Sequence, residues 1–145
     1  MGFAVGVLKW WEPPKVSGGI RKNPHHDWPK GVAVDDSEAL LESYIQAAQS
    51  VGFVKCDTDD SEDGQEKITL YFTASGGKNF FQHATLHIGK NRCLSKLGRD
   101  SDIEHPTNGL DRVVFYGSER LHMKRDASLR PIPRSLVSPA RYRSG

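Results

Sequence analysis

The stretch from His83 to His105, HATLHIGKNRCLSKLGRDSDIEH, concentrates three of the six histidines, one of the two cysteines and a Gly-bounded turn. Imidazole, thiol and hydroxyl groups of this kind are the material of general acid–base and nucleophilic catalysis. Thiol catalysis needs a Cys and a His on a neighbouring element to take its proton, with a third polar group to orient the imidazole. His83, early in a strand with a polar face, suits the base. Neither cysteine suits the nucleophile: Cys93 lies ten residues beyond His83, and Cys56 stands beside acidic residues that raise a thiol pKa. The competing reading is structural, with His83 hydrogen-bonded inside a sheet and both cysteines serving as packing residues.

Metal chemistry finds less support. His83 and His87 share a strand face but are four residues apart, which separates their Cα atoms by roughly 13 Å. His25, His26 and Asp27 are adjacent, so their side chains diverge. The chain has no HExxH, no CxxC and no tight Cys/His quartet. Asp59, Ser61, Asp63 and Gly64 resemble a calcium loop, but the twelfth position is Leu70, where a bidentate Glu is needed. There is neither a P-loop nor a GxGxxG. No metal and no cofactor is expected.

The elements that must position these groups follow from periodicity. Phe3, Val7, Leu8 and Trp11 are close to helical spacing, and Pro13-Pro14 ends that element. Residues 12 to 31 read as a Pro- and Gly-punctuated loop. The strongest helix is predicted over Asp35 to Val51, capped by Asp35 with Glu38 completing a capping box and stopped by Gly52. Phe53 to Cys56 reads as a short strand before the acidic run 57–66. Glu66 to Thr73 alternates as a strand, Gly76-Gly77 turns the chain, and Phe80 to Ile88 returns. Within that return, Ala84, Leu86 and Ile88 share one face while His83, Thr85 and His87 share the other. Asn91 to Lys96 reads as a third strand, residues 98 to 111 as a loop, and Arg112 to Tyr116 and Arg120 to Met123 as a last strand or pair. The expected architecture is α+β: N-terminal helices packed on a small antiparallel sheet.

A chain of 145 residues forms one domain at this size. The expected organisation is a single α+β domain over residues 1–125, followed by a disordered, basic Ser/Pro/Arg tail over 126–145. No apolar run approaches the roughly 20 residues of a membrane span. The N-terminus makes a poor secretory signal, and two cysteines build no disulfide framework. A reduced, cytoplasmic protein without a membrane partner is expected. A net charge of +2 does not call for a nucleic-acid partner.

The chain resembles an uncharacterised, mainly bacterial family that is itself distantly similar to the papain-like thiol hydrolases. The matching pieces are Phe3-Ala4 with Trp10-Trp11, Trp28-Pro29, Val51-Gly52-Phe53 with Cys56, and Glu66-Lys67-Ile68-Thr69-Leu70-Tyr71. His83-Ala84, Ser95-Lys96-Leu97-Gly98 and Asp102-Ile103-Glu104-His105 follow. The resemblance implies a papain-like core and acyl transfer through a thiolate. It implies His83 as the base and a polar residue such as His105 or Ser95 to orient it. The family's Cys position falls on Gly2, so the base is left without a nucleophile. Either the chain is a catalytically inactive relative, or its true start lies upstream. The alternative is a non-enzymatic interaction module that engages a protein or peptide through Trp10, Trp11 and Trp28 or through the basic tail.

Overall fold

The computed structural model of the protein describes residues 10–11, 26–27, 29, 40–58, 60–97, 101–109, 117 and 119–130. Two short strands, β1 (Trp10–Trp11) and β2 (His26–Asp27), pair in parallel. One helix, α1 (Leu41–Gln49), precedes β3 (Val54–Cys56), β4 (Gln65–Ser75), β5 (Lys78–Gly89), β6 (Arg92–Leu97), β7 (Ser101–His105) and β8 (Glu119–Asp126). These six strands form one antiparallel sheet in the order β3-β8-β4-β5-β6-β7.

This corrects the expected architecture of N-terminal helices on a small sheet, and with it the expected papain-like core. Among the described residues the sheet dominates and one nine-residue helix lies on it. Trp10 and Trp11, read as the end of a helix, are in a strand. Four apolar positions in a nine-residue run are a weak helical signal, and adjacent indoles favour extended backbone. The segment read as a loop after Gly98 contributes β7. The proposed capping box at Asp35 and Glu38, Gly2, Trp28, the Arg112–Tyr116 strand and the tail beyond Arg130 lie outside the described residues.

The β4–β5 hairpin turns through Gly76-Gly77, both at positive φ (58° and 79°), the two-residue geometry that matches strand twist. Helix α1 ends in a Schellman motif. Gly52 N–H donates to the Gln49 carbonyl and Phe53 N–H to the Ala48 carbonyl. One face of the helix (Leu41, Tyr44, Ile45, Ala47, Ala48) packs with Ile68, Leu70, Leu86, Leu94, Met123 and Phe53 to make the core.

A buried ion cluster ties the end of α1 to the sheet. Glu66 and Arg125 stand opposite each other on β4 and β8. Arg125 Nη2 donates to Glu66 Oε2 at 2.7 Å and Nη1 to the Val51 carbonyl at 3.0 Å, while the guanidinium lies 4.3 Å from the Phe53 ring centre. Arg130, beyond a 3-10 turn at Ala127–Leu129, donates to the other Glu66 oxygen at 2.8 Å. Packed structure thus continues five residues past Arg125, into the segment read from sequence as tail.

Candidate active site on the polar face of the sheet

Residues directly opposite each other on paired strands project to the same face. Ile68, Leu70, Leu86, Leu94 and Met123 face α1, so Lys67, Thr69, Tyr71, His83, Thr85, His87, Cys93, Ser95 and His105 face the other way. That second face is polar and nevertheless buried: Ser95, Thr85 and Cys93 are fully enclosed, and His83, His87 and His105 are each below one-tenth exposed. Burying so many polar atoms is costly unless they bond to one another, and Ser95, His105, Thr85, Cys93, His87 and Thr69 do.

Ser95 and His105, on β6 and β7, are brought together. His105 Nδ1 is 2.7 Å from the Pro106 carbonyl, which can only accept, so this nitrogen carries the proton. In the neutral ring Nε2 is then the acceptor, and the Ser95 hydroxyl donates to it over 2.6 Å. The Thr85 hydroxyl, 2.8 Å away, completes the set by donating to Ser95. Burial holds the His105 pKa below its ordinary value, with the Pro106 bond working in the opposite direction. Gly109 shapes the turn above this ring: a Cβ there would lie 3.1 Å from His105 Nδ1 and 3.0 Å from the Pro106 carbonyl.

His83 sits on β5 in the same face, opposite Tyr71, with ring centroids 6.1 Å apart. Burial pushes its pKa down to about 4, and the proximity of His105 pushes the same way. At neutral pH His83 is therefore an uncharged imidazole. Both nitrogens of His105 are engaged by Ser95 and Pro106, so the influence of His105 on His83 is electrostatic.

A second network links residues the sequence reading did not combine. Cys93 Sγ lies 3.2 Å from His87 Nδ1, and His87 Nε2 lies 2.7 Å from the Thr69 hydroxyl. Thr69 Oγ1 is also 2.9 Å from His122 Nδ1. With one proton to give, Thr69 can donate to only one of the two rings and must accept from the other. His122 carries no local motif signal. Only the pairing of β8 beside β4 brings it to this face.

Cys56, on edge strand β3, is opposite His122 and half-buried. Burial raises its thiol pKa, opposed by the ammonium of Lys67 and by a bond to the Thr58 carbonyl. Neither described thiol is thus an activated nucleophile for His83. Among the described residues no three His, Cys, Asp or Glu side chains are placed to hold a metal ion, and no helix is long and apolar enough to cross a membrane.

Searches of the curated proteins and of the solved structures return no match. A family profile described as "Domain of unknown function (DUF7689)" matches residues 1–124, nearly the whole chain. The chain belongs to the DUF7689 family.

Proposed function

We propose that the polar face is the acid–base half of an acyl-transfer site of the thiol-hydrolase type, inactive as the sequence stands, with His83 as its base. One observation supports this above the others. His83 is a buried, neutral imidazole on the same face as a pre-bonded Ser95–His105 pair. A base must be unprotonated to accept a thiol proton, and this environment keeps it so; a thiolate formed beside it then favours the imidazolium, and that pairing lowers the thiol pKa in turn. Ser95 and His105 then act through their field and packing. The two described thiols are otherwise disposed: Cys93 is enclosed and bonded to His87, and Cys56 has a raised pKa. The nucleophile position implied by the family resemblance carries Gly2.

The test is to install the thiol. Gly2→Cys and Gly2→Cys/His83→Ala are treated with iodoacetamide at pH 7, and each cysteine is followed by mass spectrometry. The Gly2→Cys thiol is expected to react about tenfold faster with His83 present than in the His83→Ala form, the consequence of a thiol pKa lowered by about one unit. Cys56, followed in the same molecules, is expected to react equally in both. Equal rates in both forms contradict the proposal.

A further inference from the structure

Tyr71 is the cross-strand neighbour of His83 on the polar face. It stands on β4 directly opposite His83 on β5 and directly opposite Arg120 on β8, so the three side chains form one row across adjacent strands. Its ring is tilted at 46° to the imidazole, and Arg120 Cζ lies 5.3 Å from the centre of the same ring. Tyr71 is only 2 % exposed. The register shift between Tyr71 and Phe72 makes Tyr71–His83 the last regular pair before the bulge. Just beyond it, Gly117 is packed so closely on the Phe72 carbonyl that a Cβ there would stand 2.5 Å from the oxygen. The backbone under Tyr71 is thus fixed from outside the hairpin.

We propose that Tyr71 is the positioning residue of His83: its ring, held from the β8 side by Arg120, is the wall that sets the imidazole and keeps water from it. This rests on the reading of His83 as the base. An aromatic wall supplies desolvation, which disfavours the charged imidazolium. A guanidinium on the far side of the ring adds cation–π attraction that fixes the wall. The low pKa of His83 agrees with this arrangement, which stands on the register and the ring geometry.

The experiment is an NMR pH titration of the His83 ring protons in the full chain and in Tyr71→Phe, Tyr71→Ser and Arg120→Gln. Tyr71→Phe keeps the wall and is expected to leave the midpoint in place. Tyr71→Ser admits water and is expected to raise it by about one unit or more, toward the ordinary histidine value. Arg120→Gln is expected to raise it by a smaller amount, and this variant carries the test if Tyr71→Ser does not fold. No movement in either Tyr71→Ser or Arg120→Gln overturns the proposal. Equal movement in Tyr71→Phe and Tyr71→Ser overturns it too, because the phenol hydroxyl would then be responsible. The titration needs no nucleophile. If the midpoints move as expected while His83→Ala leaves Gly2→Cys labelling unchanged, the base role fails and the positioning role stands.

Discussion

Phe81 and His83 lie two residues apart on β5 yet project to opposite faces of the sheet. The cause is the register shift opposite Tyr71 and Phe72, which leaves Gln82 as an extra residue on β5. Strict alternation would place Phe81 beside His83. The bulge instead turns Phe81 toward α1, where it stacks on Tyr44 with centroids 3.8 Å apart at 15°. One extra residue thus seats an aromatic in the core and the imidazole in the polar face.

Phe81→Ala removes the stacking partner of Tyr44 from a half-buried site. It should destabilise by about 2–3 kcal/mol, at or below the roughly 3–5 kcal/mol of a fully buried aromatic because Phe81 is only half-buried. Deletion of Gln82 should cost at least as much, because it forces either Phe81 or His83 onto the wrong face. Urea denaturation of both variants checks this. A Gln82 deletion as stable as the parent would show that the bulge does not set the two faces.

Gly117 has φ +86° and leaves no room for a side chain against the Phe72 carbonyl. Gly117→Ala combines that clash with a left-handed backbone, which alone costs about 1–2 kcal/mol for an L-residue. A total loss of more than about 2 kcal/mol is expected. Gly64→Ala is the control: its φ is +74°, but nothing lies within 4 Å of the added carbon. Thermal or urea midpoints should separate the two, with Gly117→Ala clearly the worse.

Glu66 faces both Arg125 and Arg130 with almost no access to solvent. Removing one member of a buried ion cluster strands the remaining charge, at about 3–5 kcal/mol. Glu66→Gln should therefore be strongly destabilising. Glu66→Gln/Arg125→Met should recover part of the loss, because one guanidinium rather than two is then deprived of the carboxylate. A double-mutant cycle by equilibrium unfolding measures the coupling.

Acid should weaken the fold through His83. Its folded pKa of about 4 lies below the unfolded value near 6.5, so the unfolded chain binds the proton first. The stability associated with neutral His83 is present above pH 6.5 and drains away as pH falls from 6.5 to 4. A shift of that size corresponds to roughly 3 kcal/mol. His105, whose pKa is also held down by burial, adds in the same direction. The difference in unfolding free energy between pH 7 and pH 4.5 should shrink in His83→Leu; an unchanged difference would remove His83 from the account.

The sequence made legible what local periodicity encodes. The alternation of His83, Thr85 and His87 against Ala84, Leu86 and Ile88 is present in β5, and the Gly76-Gly77 turn pairs β4 with β5. The helix was legible in its core, Leu41–Gln49. What escaped is non-local. The pairing of Cys93 with His87 depends on the β5–β6 register, and the arrival of His122 beside Thr69 depends on β8 inserting between β3 and β4. A sequence places His83 and Ser95 twelve residues apart; only the sheet shows that Ser95 bonds His105 instead. The short, polar run Ser101–His105 carries no alternation signal strong enough to declare β7.

The central claim is that His83 acts as the base for a thiol introduced at position 2, and the pH profile of alkylation tests it most directly. Iodoacetamide rates for the Gly2→Cys thiol are measured from pH 5 to 10 with His83 present and replaced by Ala. With His83 present, reactivity should rise at a pH well below that at which Cys56 begins to react, and His83→Ala should move the profile up to an ordinary thiol's, near 8.5. Superimposable profiles with and without His83 would contradict the account.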